Sequence, residues 1–414
     1  MKARLVLLRR LSSFAGATGF VAVIGLATTW VIIRVVGGDD WGVLAAIQAG
    51  AALFGVLVAF GWGTTGAAEV ASCPARERPV FFAGSLVTRL YLFLLTYPVM
   101  VIVMGNLNPS HVALVAVGSA AYLLPSLGAS WYFIGEAKPR RLFLCDILPQ
   151  MIGLLASIPV VLLTGSLVLA VSTQLVFNVL AVLISARTVL GPNGTTPLEF
   201  SPGAAWARLG RQGHAMTTAS TSALYVSTPM LVINALIPSS LAQYGMGDRL
   251  FRVGLTGFAP VVQFVQGWIP EDGPEHVRHR VIQVARLSPL LSLAGAAAVF
   301  ALGPWAVSLL SSGQIAFGLD LSLPFAIAFL AVSLSQIFGL ACLVPLGRLR
   351  VLSTSTVLGA VAGIPLLLVG ATTGGIHGVA WGLAASEVVV TVYQLCVIVT
   401  HLQRTRPNRA SRTQ

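Results

Sequence analysis

Charge is scarce in this chain: Asp, Glu, Lys and Arg make up 9% of its 414 residues, while 56% are hydrophobic. That balance excludes a large soluble core and reads as a membrane protein. Lysine is scarcer still, since only Lys2 and Lys138 stand among 25 basic residues, a bias suggesting a GC-rich bacterial genome. Four cysteines (Cys73, Cys145, Cys342, Cys396) lie far apart. Their spacing excludes a zinc site and a disulfide framework. No G-x-x-x-x-G-K occurs, and neither lysine precedes Ser or Thr, so no nucleotide phosphate cradle is expected. H-E-x-x-H, G-x-S-x-G and metal-spaced Cys/His sets are missing too. The expectation is therefore no catalytic residue, no metal, no cofactor and no enzyme. The net charge of +12 is spread over short loops, so it predicts contact with anionic membrane lipid and no nucleic-acid partner.

What is present is order in the basic residues. Twenty-one of the 25 fall in every second gap between long apolar stretches: Lys2–Arg10, Arg76/Arg78, Lys138–Arg141, Arg187–Arg211, Arg278–Arg286, Arg348/Arg350 and Arg404–Arg412. The alternate gaps, such as Gly37–Asp40, Asn106–His111 and Ser311–Asp320, hold acids or neutral turn residues. Loops on the cytoplasmic side retain Lys and Arg, so the alternation reports orientation. Seven basic gaps and six others predict twelve transmembrane helices with both termini cytoplasmic. The expected spans are 12–36, 41–63, 80–104, 111–134, 142–164, 166–186, 212–236, 241–269, 281–310, 321–346, 351–371 and 376–400, each near the 20 or so residues a bilayer requires.

The longest non-apolar stretch, about 187–211, divides these spans six and six. The expected fold is an all-α polytopic membrane protein of two pseudo-symmetric six-helix bundles. Residues 1–190 form the N-terminal bundle, 191–211 a cytoplasmic linker, and 212–414 the C-terminal bundle. A faint repeat supports it: Arg34 and Trp41-Gly42 flank the first outer turn, Asn234 and Tyr244-Gly245 the equivalent turn of the second half. Six spans per half make the repeats parallel. Prolines recur within spans (Pro98, Pro125, Pro159, Pro229, Pro260, Pro324, Pro345, Pro365), where kinks suit either a shape-changing bundle or ordinary membrane helices.

Four arginines break the gap rule: Arg34, Arg89, Arg249 and Arg252. A charge at a helix centre costs about 2.5–3.5 kcal/mol on insertion scales, so each requires a partner, a wet cavity or a route to the interface. Arg34 stands beside Asp39 and Asp40 and is expected to snorkel toward them. Arg89 lies on the order of 13 Å into its helix, out of reach of either interface, and is expected to line a cavity. Asp248 and Arg252, four residues apart, are spaced for an internal ion pair, leaving Arg249 to face a cavity or a structural partner. Glu387, near the middle of the last span, is either a pairing acid or a proton-coupling one. Asp146, a turn from the inner end of helix 5, reads as interfacial. Arg34, Arg89, Arg249 and Arg252 are thus the candidate cationic cavity, and Glu387, Asp248 and Asp146 the coupling or ion-pair candidates. Four buried arginines against the two clearly buried acids, Asp248 and Glu387, favour an anionic cargo, because the guanidinium fork matches phosphate oxygens.

Two short motifs carry a resemblance. Arg34-Val-Val-Gly37-Gly-Asp-Asp-Trp41-Gly42 resembles the R-x-L-G-x-x-x-[YF]-G turn of bacterial polysaccharide flippases. Gly374-Gly375-Ile376-His377-Gly378-Val379-Ala380-Trp381-Gly382, running into Ser386-Glu387, is similar to the opening of their last helices. These belong to the multidrug/oligosaccharidyl-lipid/polysaccharide exporter superfamily. The resemblance implies paired bundles with alternating access, set in the bacterial cytoplasmic membrane. It implies an undecaprenyl-diphosphate-linked oligosaccharide as cargo, moved from inner to outer leaflet, and the polysaccharide biosynthesis machinery as partner. Val and Trp replace the commoner Leu and Tyr of the turn. An acid deep in helix 1, used by many drug-exporting relatives, is missing. A cation-coupled drug or metabolite exporter of the same fold is the alternative. A polysaccharide polymerase or ligase is a further one, although the outer gaps are short for a catalytic loop.

Overall fold

The computed structural model describes residues 24–191, 196–269 and 274–404. The basic clusters Lys2–Arg10 and Arg406–Arg412, residues 12–23 of the expected first span, and Pro192–Thr195 lie outside the described residues. Among those described, helix is the only regular secondary structure: α1 (Ile24–Val36), α2 (Gly38–Ala59), α3 (Trp62–Ser72), α4 (Arg78–Leu107), α5 (Val112–Leu123), α6 (Ser130–Gly135), α7 (Pro139–Arg141), α8 (Leu148–Thr164), α9 (Leu167–Leu190), α10 (Pro202–Leu236), α11 (Leu241–Trp268), α12 (Pro274–Ser311), α13 (Leu319–Gln336) and α14 (Leu349–Arg404). The fold is that of an all-α polytopic membrane protein.

Eight stretches among the described residues are long and apolar enough to cross a membrane: Gly38–Ser72, Arg78–Leu107, Pro109–Gly135, Pro139–Thr164, Leu167–Leu190, Glu275–Ser311, Leu319–Leu343 and Arg350–Gln403. The last is two helices joined at Gly375, whose φ of 58° and ψ of −139° interrupt α14 where the expected spans 351–371 and 376–400 meet. Only glycine adopts that conformation without a steric penalty. Helices α10 and α11 cover the expected segments 212–236 and 241–269 and are more polar. Two helices begin at serine caps, Ser166 Oγ accepting from Leu169 N at 3.4 Å and Ser201 Oγ from Ala204 N at 3.3 Å.

Packing divides the chain into two compact units. The N-unit comprises Ala27–Gly245 and Leu310–Gln314; the C-unit comprises Met246–Leu309 and the described residues of Met1–Leu26 and Ile315–Gln414. The packing boundary falls within α11, and α10 joins the N-unit. The sequence segments 1–190 and 212–414 divide the chain by repeat, which is a different criterion.

Helices in lipid gain little from hiding apolar surface from water, so close van der Waals fit drives their association. Each unit achieves it with glycines. In the N-unit α2 packs against α4, α5 and α10. A Cβ on Gly42 would lie 2.7 Å from Ala242 N, so the starts of α2 and α11 approach at backbone contact. The repeat's two marks meet here, the Cβ position of Gly245 being 3.3 Å from Trp41 Cζ3. At the other end of α2, Trp62, Phe82, Trp131, Tyr132 and Phe133 form a buried aromatic cluster. In the C-unit, Gly247 of α11 and Gly295 of α12 receive the rings of Phe325 and Phe329 from α13, each 2.5 Å from the Cβ a larger residue would carry. Leu95 and Leu163 stand outward at 67% and 86% exposure, as faces bathed in hydrocarbon should.

Gly42→Val is expected to lower thermal stability by several degrees, because backbone at Ala242 cannot yield and overpacking costs about 1–3 kcal/mol. Gly63→Ala, where nothing lies within 4 Å of the added carbon, serves as the control. Melting of the detergent-solubilised protein, followed by size-exclusion recovery, measures both.

Candidate functional site

Arg89 lies on the buried face of α4 and is 1% exposed. Its Nη1 donates to Ser126 O at 3.0 Å and Gly128 O at 2.9 Å; Nε reaches Ser85 O and Nη2 reaches Ser85 Oγ, both at 3.4 Å. The acceptors exist because α5 does not continue as an α-helix. Pro125 turns the chain through a 3-10 segment, Leu124–Leu127, which leaves carbonyls for a side-chain donor. The guanidinium also lies 5.3 Å from the Trp131 ring centroid and 5.8 Å from that of Phe82, adding cation–π attraction at a buried site. Asp146 is the acid whose field acts on it.

One expectation changes here. Arg89 does not line a cavity; it is a sealed clamp between α4 and the turn after α5. Asp146 is buried as well, 6% exposed, with Oδ1 3.0 Å from the Cβ position of Gly128. The reason is a π-helical segment, Leu142–Ile147, whose wider turn rotates the following residues relative to a regular helix. The change carries Asp146 inward, toward the Arg89 clamp.

The C-unit holds the other two inner arginines on α11. Asp248 Oδ2 accepts from Arg252 Nε at 2.6 Å, the i,i+4 pair that the spacing predicts. The Arg252 side chain is 46% exposed, so the pair contributes on the order of 1 kcal/mol or less. Arg249, half-buried one turn earlier, donates from Nη2 to Gly25 O at 2.7 Å and ties α11 to the start of α1. The glycine matters, because a Cβ there would sit 3.1 Å from that nitrogen. Glu387 is half-buried on α14, beyond the Gly375 break. The structure therefore brings Arg249, Asp248 and Arg252 together on one helix, and places Arg89 with Asp146 in the other unit.

Arg34 departs from expectation as well. It stacks on Trp30, 5.3 Å from the ring centroid, and makes no ion pair with Asp39 or Asp40. Asp40 is engaged by His111 at 2.9 Å. A similar pair, Asp320 with His377 at 2.7 Å, joins two non-basic gaps in the C-unit. Sequence reasoning also missed a polar pocket containing Glu69, Arg208 and Gln212. Glu69 was placed past the end of a span and Arg208 in a linker. The signal was available in Ser201-Pro202, a cap followed by proline at the first helical position, which starts α10 ten residues before the expected span.

No protein-family profile and no curated relative matches the sequence. Solved structures do match in fold. The lipid II flippase MurJ in an inward closed conformation aligns with a TM-score of 0.74 at 13% identity, covering 94% of this chain and 89% of that one. An inward-facing multidrug resistance MATE family transporter of the MOP superfamily aligns at 0.63 and 16% identity, covering 93% and 96%. A Vibrio cholerae MATE transporter aligns at 0.56 and 14%, covering 98% and 99%. The chain shares the fold of these transporters. At such identities the likeness extends to the fold alone.

Arg89→Met is expected to destabilise the N-unit by about 2–4 kcal/mol, since the carbonyls of Ser126 and Gly128 lose their donor and Asp146 its counter-charge. Thermal melting in detergent measures it, and Arg89→Lys should recover only part, since an ammonium cannot reproduce the planar fork.

Proposed function

We propose that this protein moves an undecaprenyl-diphosphate-linked oligosaccharide from the inner to the outer leaflet of a bacterial cytoplasmic membrane by alternating access. In this reading the chain crosses twelve times with both termini cytoplasmic. Arg249 and Arg252 bind the diphosphate, Arg34 adds positive charge near the outer end of the first helix, and Arg89 holds the N-unit rigid. The observation that carries the reading is the pair of arginines three residues apart on α11, with the Arg252 side chain 46% exposed. A guanidinium held within a span is costly unless something uses it, and phosphate oxygens match its fork. The fold shared with a lipid II flippase supports a cargo of similar build, a polar head that must be sheltered and a lipid tail that need not be. With the cell interior negative, outward movement of the head gains about 2.3 kcal/mol per charge per 100 mV.

A second reading, a cation-coupled exporter of drugs or metabolites, draws on the likeness to multidrug transporters and on Glu387, an acid well inside the last helix. The two readings separate in reconstituted vesicles. Arg249→Ala is expected to slow translocation of a polyprenyl-diphosphate sugar by about tenfold or more while protein recovery is unchanged, the loss of one charge-assisted contact. If the arginine variant flips at the normal rate while Glu387→Gln abolishes proton- or sodium-driven efflux of a small cation, the second reading holds instead.

A further inference from the structure

A pocket of about 590 Å³ opens in the N-unit between the end of α3, the start of α4 and the start of α10. Its wall contains two acids, Glu69 and Glu77, and two arginines, Arg76 and Arg208, against the apolar surface of Trp62 and Phe81. Every one of these positions is in or next to the basic gaps at Arg76/Arg78 and Arg187–Arg211. The orientation rule puts those gaps at the cytoplasmic interface, at headgroup depth, and the inference rests on that placement.

The acids and bases are held by different partners. Glu69 Oε1 accepts from Gln212 Nε2 and Thr65 Oγ1, each at 2.7 Å, which fixes the carboxylate. Arg208 lies flat on α4, Nε 2.9 Å from the Cβ position of Gly84, with Nη2 donating to Glu199 Oε2 at 2.7 Å. Its Nη1, like Trp62 Nε1, is a buried donor without an acceptor among the described residues. Glu77 and Arg76 are exposed at the mouth, beside Val80 at 61% exposure. The site thus offers guanidiniums, a surplus donor and a fixed carboxylate within one wall. Two positive and two negative groups line the pocket, and Arg208 is also paired with Glu199 outside the lining. A simple anion would meet the acids, and a simple cation would meet the arginines. A zwitterion satisfies both, and a volume within the usual 300–1,000 Å³ or so of ligand pockets accommodates a headgroup.

We infer that this pocket binds a phosphate ester bearing a primary ammonium, the headgroup of an aminophospholipid of the inner leaflet, with the phosphate at Arg76 and Arg208 and the ammonium at Glu69 and Glu77. The occupant is a resident lipid and not the transported cargo, and the site lies within one unit. Soluble phosphoethanolamine carries the same chemistry, so the test separates the two sources.

Native mass spectrometry of the full-length protein, dosed with phosphatidylethanolamine, phosphatidylglycerol or phosphatidylcholine of identical acyl chains, reads retention directly and does not depend on transport. The ethanolamine lipid should be retained about tenfold over the other two, the scale of one charge-assisted contact. Glu77→Gln, at an exposed position, should abolish the preference over phosphatidylglycerol. Arg76→Ala, equally exposed, should lower retention of all three lipids. Glu69→Gln should act as Glu77→Gln does, more strongly. Displacement by millimolar phosphoethanolamine would show that the headgroup alone suffices, and resistance to it would assign the site to bilayer lipid. Equal retention of the three lipids by the wild type, or preference unchanged in both Glu77→Gln and Arg76→Ala, overturns the inference.

Discussion

A charge carried into hydrocarbon has to be answered by the protein itself, and the arrangement of both units follows from that requirement. Arg89 is answered at nearly every donor. Two carbonyls, a serine, two aromatic faces and the field of Asp146 surround it. Four of its five N–H groups have acceptors, and the side chain is buried. On α11, Arg252 pairs with Asp248, Arg249 donates to the Gly25 carbonyl, and the Arg252 side chain remains half-exposed. The same residue type thus sits in different settings in the two units: a sealed clamp at Arg89, and a half-exposed, acid-paired side chain at Arg252.

The clamp depends on irregular backbone. A continuous α5 would use its own carbonyls, and a regular helix through Leu142–Ile147 would turn Asp146 elsewhere. Proline and the π segment are therefore not tolerated defects; they create the acceptor set and present the acid. Glycine plays the complementary part between helices. Gly42 and Gly245 bring the starts of α2 and α11 together, and Gly247 and Gly295 seat the rings of α13. With little hydrophobic drive available inside a bilayer, such fit is what distinguishes one helix arrangement from another.

Local features were legible in the sequence, and distant ones were not. Most of each apolar stretch lies on helix where the structure describes it, because length and hydropathy are properties of contiguous residues. The Asp248–Arg252 pair was legible for the same reason, being one helical turn long. Arg89 could be recognised as buried, yet its partners stand 37 and 39 residues away on a 3-10 turn that no periodicity announces. Arg249 finds its acceptor 224 residues earlier, at Gly25. The burial of Asp146 beside Gly128 was not legible either, because a π-helical turn changes which face a residue occupies. The pocket at Glu69 and Arg208 was hidden by helix ends that run past the apolar stretches, where hydropathy gives no signal.

The central claim is that positive charge on α11 carries a negatively charged lipid head across the membrane. The most direct measurement compares, in vesicles holding the same protein, translocation of a polyprenyl-diphosphate sugar with that of the same sugar on an uncharged linker. The account predicts rapid movement of the diphosphate lipid, faster when the destination side is made positive, and little movement of the neutral one. Equal rates for both, indifferent to the applied potential, would contradict it.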